Sequence, residues 1–123
     1  MELKQETLSP IIQAAGMIRP SFKIGIHEHT PQDLIQKAKQ TYFTDWFVQA
    51  YVLLHDGFLS LEDNRDGNTY KVTLKNMENG LKILSENYHD IYKSLSEKHY
   101  YPKNADALLQ CTIFGEVKYQ WKD

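Results

Sequence analysis

The sequence predicts an α+β fold, a helix-rich single domain over residues 1–123 with a small, mostly antiparallel sheet. Two observations predict strands: apolar side chains alternate with polar or small ones from Phe22 onward, and Asp66-Gly67 separates two further alternating segments. A third predicts helices, because apolar residues recur at three- and four-residue spacing between Met77 and Leu95. The length of 123 residues and the 41% hydrophobic content suit one domain with a substantial core.

Prolines mark the expected limits of a helix in the first third of the chain. Ser9 is suited to cap a helix whose first residue is Pro10, and this helix is expected to end before Pro20. The period then changes from helical spacing to alternation. Residues 22–27 are therefore predicted to form a half-buried strand.

A strong helix signal follows this strand. Thr30 can cap the helix, and Asp33 places a negative charge near its positive end. The pattern predicts a break near residues 41–44. Residues 43–54 are apolar on nearly every side, so we expect the central helix of the fold here, ended by His55-Asp56-Gly57 with Gly57 in the left-handed conformation.

The middle of the chain predicts a hairpin. Residues 58–61 and 70–74 alternate as strands, and Asp66-Gly67 can supply the positive φ values that a tight connection needs. Helical spacing resumes near residue 73, with weak points at Gly80 and at residues 85–87, so one helix or two are expected.

The final third of the chain predicts a helix and a strand. Asn104 is suited to cap a last helix that Gly115 ends. A closing strand is predicted from the alternating residues Val117, Tyr119 and Trp121.

Charge and cysteine content limit the class of protein. The chain has 14 Lys and Arg against 16 Asp and Glu, a net charge of −2, which argues against nucleic acid or an anionic membrane as the partner. The single Cys111 excludes an intramolecular disulfide and fits a reducing cytosol. The longest wholly apolar stretch, residues 50–54, is far below the ~20 residues that cross a bilayer. We therefore expect a cytoplasmic protein.

Two histidines suggest a divalent metal site. On a strand, His27 and His29 point to the same side and can converge on one cation. Further ligands could come from His55, Asp56, Glu62 or Asp63. The alternative is that both histidines are exposed at the strand end, directly before the following helix.

A second motif is the run Val52-Leu53-Leu54-His55-Asp56-Gly57. It resembles the signature of the HD-domain metal-dependent phosphohydrolases, in which adjacent His and Asp residues ligate a metal. The resemblance implies attack of metal-activated water on a phosphate ester. It also implies an upstream ligand, His27 or His29, and a downstream ligand, Asp90 or Asp106. The alternative is a helix C-terminus with no metal.

The aromatic content, 12% of the chain with eight tyrosines, is unusually high for a domain of this size. Tyrosine combines an apolar ring with a polar tip, as recognition surfaces often do. We predict a binding surface formed by Tyr88, Tyr92, Tyr100 and Tyr101. The alternative is that most of these rings belong to the core.

The C-terminal third carries a further resemblance, in the run Asn104-Ala105-Asp106-Ala107-Leu108-Leu109-Gln110-Cys111-Thr112-Ile113-Phe114-Gly115-Glu116-Val117-Lys118-Tyr119. It is similar to the endings of small phage and prophage proteins of uncharacterised function. The resemblance implies a viral or mobile-element origin and no activity of its own, and small phage proteins of this kind often act by binding.

The sequence therefore predicts a non-enzymatic module, without cofactor, that binds a protein partner or a second copy of itself. We assign no catalytic residue, because the chain has neither a glycine-rich phosphate loop nor a nucleophile elbow, and Cys111 lies in a helix that must pack. Two alternatives remain open. One is a metal-dependent phosphohydrolase of the HD type, and the other is a nucleotide-sequestering protein.

Overall fold

Three antiparallel strands and six helices make up most of residues 1–120, the part of the chain that the computed structural model describes. This architecture confirms the predicted α+β fold. The elements are α1 (Gln5–Ala15), β1 (Phe22–Ile26), α2 (Gln32–Thr41), α3 (Asp45–Leu54), β2 (Leu59–Asp63), β3 (Thr69–Val72), α4 (Leu74–Asn87), α5 (His89–Ser96) and α6 (Pro102–Phe114).

The sheet has the order β1-β2-β3, and both of its strand pairs are antiparallel. Ile24 lies opposite Leu61, and Leu61 lies opposite Tyr70, so these side chains share the face that packs on the helices. Lys23 and Glu62, also opposite each other, lie on the solvent face. The fold therefore has two layers, with one side of the sheet buried.

The hairpin between β2 and β3 is confirmed, but only one of its two predicted turn residues has a positive φ. Gly67 has φ +77°, whereas the Asp66 carboxylate accepts a hydrogen bond from the Asn68 backbone N–H at 2.8 Å. Asp66 therefore contributes an Asx turn instead of a left-handed residue.

The first helix begins earlier than predicted. It starts at Gln5, and the hydroxyl of Thr7 accepts a hydrogen bond from the Lys4 backbone N–H at 3.0 Å. Pro10 consequently lies inside the helix, not at its first position. The apolar face of α1 already includes the fully buried Leu8, and we attribute the earlier start to the burial of this face.

The predicted Thr30 cap of α2 is wrong. The Thr30 hydroxyl donates to the Phe58 carbonyl at 3.0 Å and accepts from the Phe58 backbone N–H at 3.1 Å. Pro31 occupies the cap position, and α2 begins at Gln32. Thr30 therefore fastens the segment after β1 to the segment before β2.

The predicted end of α3 is correct, with a different residue in the left-handed conformation. Asp56 has φ +67°, and Gly57 does not have a positive φ. Position 57 requires glycine because a side chain would not fit there: a Cβ would lie 2.7 Å from the Val52 carbonyl oxygen.

The central helix is α6 and not α3, as the sequence suggested. Every residue from 104 to 111 is buried, whereas Phe47 on α3 is 37% exposed. Close packing of α4 on α6 depends on Gly80, since a Cβ there would lie 2.8 Å from the Thr112 Cα. Asn104, the predicted cap, lies inside α6, and Gly115 ends the helix with φ +74° as predicted.

The helical segment after β3 forms two helices, one of the two outcomes that the sequence left open. Tyr88 separates α4 from α5 with φ −135°. The predicted closing strand is wrong for residues 117–120, which are irregular and pair with no strand. Trp121, the last residue of that prediction, lies outside the described residues.

Candidate functional site

The His27 and His29 rings lie close together directly after β1. Their centroids are 4.6 Å apart in an edge-to-face arrangement, and His27 Nδ1 accepts a hydrogen bond from the His29 backbone N–H at 3.1 Å. The Lys71 ammonium lies 3.5 Å from His29 Nδ1. The structure therefore brings two of the predicted metal ligands together and places a cation beside them.

His55 and Asp56 are exposed at the end of α3. The His55 ring stacks on Tyr51 with the centroids 3.9 Å apart, and its Nδ1 donates to the Tyr51 carbonyl at 2.8 Å. Both contacts lie within the last turn of α3, as the helix-end interpretation expects. Within residues 1–120, no three His, Cys, Asp or Glu side chains are arranged to hold a metal ion.

The four predicted binding tyrosines are placed in different ways. Tyr88, Tyr92 and Tyr100 are half-buried and pack against the main core, whereas Tyr101 is 59% exposed. The Tyr92 hydroxyl accepts a hydrogen bond from the Met1 ammonium at 2.8 Å, which lowers the tyrosine pKa. Burial raises the pKa of Tyr100. Three of the four rings are therefore also packing residues.

The acidic candidates divide into an exposed and a buried pair. Glu62 and Asp90 are exposed, whereas Asp63 and Asp106 are completely buried. Burying a carboxylate is costly unless hydrogen-bond donors surround it. Both buried carboxylates have such donors.

Asp106 lies at the centre of a buried polar network. Its two carboxylate oxygens accept from the Ser21 backbone N–H at 2.8 Å and from the Ser21 hydroxyl at 2.7 Å. The Gln110 amide donates to the same carboxylate at 2.8 Å. The network therefore fastens the segment before β1 to α6.

Asp63 is held at the other end of this network, next to Tyr119. Its carboxylate accepts from the Arg65 backbone N–H at 2.8 Å and from the Tyr119 hydroxyl at 3.0 Å. The Arg65 guanidinium lies 3.6 Å from the centre of the Tyr119 ring. Burial raises the pKa of Tyr119, and its bond to Asp63 raises it further. This end fastens the chain after α6 to the hairpin.

Sequence reasoning assigned no role to Ser21 or Gln110. One signal was present: Asp106 and Gln110 are four residues apart with only apolar residues between them, so on a helix they share one face. Ser21 carried no local signal, because its partner is 85 residues away. We interpret the network as an anchor of the fold, since its bonds from Ser21 to Asp106 and from Tyr119 to Asp63 join segments that are far apart in the chain.

Exposed apolar side chains concentrate around the N-terminal half of α3. We call this surface the α3 face, and it contains two grooves. The Trp46 groove, of about 570 Å³, is lined by Ile12, Met17, Ile24 and Trp46 together with Lys23 and other polar residues. The Tyr42 groove, of about 450 Å³, is lined by Ile26, Lys39, Tyr42, Phe43 and Val48. Asp45 and Gln49 line both grooves, so the two adjoin.

No protein-family model, curated protein or solved structure matches this chain. None of the helices in the described part of the chain is long and apolar enough to cross a membrane. Function is therefore inferred from the α3 face itself.

Phe43 is the most exposed apolar residue of this face, at 99%. Its neighbour Tyr42 stacks on Phe47, with ring centroids 5.5 Å apart, and contacts Tyr51 at 5.9 Å. The chain before Phe43 is thus anchored while the Phe43 ring projects into solvent. Met17 and Ile18, after α1, are also exposed, at 62% and 53%.

Proposed function

We propose that this protein is a non-enzymatic binding module that engages a protein partner through the α3 face. The observation that carries the proposal is the full exposure of Phe43 beside two adjoining grooves. A contiguous exposed apolar surface on a small protein is typical of protein–protein interaction sites. Aromatic anchors at such surfaces supply much of the binding free energy.

The surroundings of Phe43 support this role. Because Tyr42 is held by two ring contacts, binding would order few additional side chains on this segment. Asp45 and Gln49 lie where the two grooves adjoin, so polar groups for hydrogen bonds with a partner are present among the apolar residues. The similarity of residues 104–119 to phage protein endings supports a phage or prophage origin for this module. The single buried Cys111 supports a cytoplasmic setting.

Affinity capture with matched variants tests the proposal. Immobilised wild-type protein, Phe43→Ser and Tyr101→Ser are exposed to the same cell lysate, and bound proteins are quantified by mass spectrometry. Tyr101 is the control, because it is an exposed aromatic residue outside both grooves. We expect a partner that wild-type and Tyr101→Ser retain equally and that Phe43→Ser retains at least about tenfold less.

Circular dichroism confirms that each variant is folded before capture. Equal retention by Phe43→Ser and wild-type would exclude the α3 face as the binding surface. So would capture of no protein by any of the three. The purified partner then gives the same comparison as dissociation constants.

A further inference from the structure

We propose that β1 accepts an extended segment of the partner as a fourth strand, and that this segment alternates apolar and acidic side chains. The inference rests on the proposed protein-binding function and specifies the kind of segment that is bound. Strand addition to an exposed sheet edge is a common mode of peptide recognition.

The backbone of β1 presents an open edge. β1 is the first strand in the sheet order, and its odd-numbered residues bond towards β2: His27 N–H donates to Phe58, and Ser21 accepts from Asn64. In an antiparallel pair the intervening residues direct their N–H and C=O groups away from the partner. Ile24 and Ile26 are such residues.

Among the described residues, one side chain, that of Gln49, forms a hydrogen bond to an outward-facing backbone group of β1. The Gln49 amide lies 3.4 Å from the Ile24 carbonyl oxygen, a long hydrogen bond that an incoming backbone N–H can replace. The other edge of the sheet is different. On β3, Val72 is buried and Tyr70 packs edge-to-face on Phe114, so less apolar surface would be gained by adding a strand there.

The spacing of the two grooves matches the spacing of alternate side chains on a strand. Ile24 lines the Trp46 groove and Ile26 lines the Tyr42 groove, and both side chains face the helical layer. Residues two apart on a strand are about 6.6 Å apart along it and point the same way. Two inward-facing side chains of an added strand, at i and i+2, would therefore enter one groove each.

Charge on the solvent face indicates an acidic side chain next to these apolar ones. Lys23 lies on that face of β1, opposite Glu62 of β2. Within residues 1–120, Lys23 makes no ion pair. An outward-facing carboxylate on an added strand would lie beside the Lys23 ammonium, on the side away from Glu62. Pairing of β1 with a second copy would supply no carboxylate, which favours a different protein as the occupant.

Synthetic peptides test the inference without an identified partner. One ten-residue peptide alternates valine and glutamate, and a second alternates valine and lysine. By NMR titration, we expect the glutamate peptide to bind about fivefold more tightly and to slow hydrogen exchange at the Ile24 and Ile26 amides. Lys23→Gln, which places no second negative charge opposite Glu62, should abolish this preference. Lys71→Gln, on the same solvent face but on β3, should leave it unchanged.

Ile24→Pro tests the backbone contribution, because it removes an outward N–H and leaves the β1–β2 hydrogen bonds in place. We expect it to abolish binding of the glutamate peptide, with Ile24→Val as the control for the lost side chain. Should Ile24→Pro not fold, the loss of the preference in Lys23→Gln decides alone.

Three outcomes would overturn strand addition: equal binding of both peptides, no binding of either, or protection of Ile24 and Ile26 by self-association in the absence of peptide. The last would assign the edge to a second copy. These outcomes differ from failure of the proposed function. If Phe43→Ser loses the captured partner while the peptides fail, the α3 face binds protein by another mode. If the peptides bind as expected and Phe43→Ser retains the captured partner, the β1 edge is a binding site and the rest of the α3 face is not.

Discussion

Gln110 bonds both backbone polar groups of Tyr119 through its side-chain amide. Nε2 donates to the Tyr119 carbonyl at 2.9 Å, and Oε1 accepts from the Tyr119 N–H at 2.7 Å. A side chain thus gives an irregular segment the two hydrogen bonds that a neighbouring strand would otherwise supply. This arrangement explains how residues 117–120 are fixed without forming the predicted strand.

Gln110→Leu is therefore expected to destabilise the fold. Leucine has a similar volume but leaves the Tyr119 N–H and the buried Asp106 carboxylate each without one bond. The expected loss is about 2 kcal/mol in the free energy of unfolding, measured by urea denaturation. Gln36→Leu, at an exposed position on α2, is the control. Equal stability of both variants would show that the amide has no anchoring role.

Gly80→Ala is expected to destabilise the protein although alanine favours helices. On an exposed helix this substitution stabilises by up to about 1 kcal/mol. Here the new methyl group would press on the Thr112 backbone, so we expect a net loss of about 2 kcal/mol. Thermal and urea denaturation beside Asn79→Ala, at an exposed neighbouring position, checks the sign. A stabilised Gly80→Ala would contradict the close approach of α4 to α6.

Thr30→Val distinguishes the bridging role of Thr30 from the cap predicted by sequence. Valine keeps the shape of the side chain but leaves the Phe58 N–H without its partner. We expect a loss of about 1.5 kcal/mol in the free energy of unfolding and faster hydrogen exchange at the Phe58 amide. Thr41→Val, which removes an exposed hydroxyl bond to Lys37 on α2, should change stability by less than about 0.5 kcal/mol. Faster exchange confined to the first turn of α2 would instead indicate capping.

Cys111 makes stability depend on alkaline pH. Burial raises the pKa of its thiol from 9.0 to about 11. The unfolded chain thus loses this proton at lower pH than the folded protein, so the stabilisation present below pH 9 is lost as pH rises through about 11. Urea denaturation between these pH values should show wild-type losing stability relative to Cys111→Ala. Thiolate absorbance in the native protein near pH 9 would refute the prediction.

Local signals explain which elements the sequence predicted correctly. The alternation in β1 and the positive φ of Gly67 and Gly115 depend only on residues that are close in the sequence. The structure confirms all three predictions. Burial depends on distant partners. Residues 43–54 are more apolar than α6, yet α6 is central because Gly80 lets α4 pack closely on it.

The same distinction between local signals and distant contacts applies to the candidate site residues. His27 and His29 are two residues apart and their rings lie close together, but they do so in a turn after β1 and not on the strand that the prediction assumed. The α3 face combines α1, β1, the α2–α3 connection and α3, so no single motif marks it. Phe43 looked like part of an apolar helix, and its exposure became apparent only once α3 was found to begin at Asp45.

The buried bond between Asp106 and Ser21 also selects one arrangement of α6 among several. A helix rich in alanine and leucine can turn about its axis by one residue and still bury aliphatic side chains at little cost. Such a rotation would carry the Asp106 carboxylate away from its donors and leave a charge in an apolar environment. Alternative packings of α6 are thereby penalised, and the protein gains a single native structure from a core whose apolar residues alone would permit more than one.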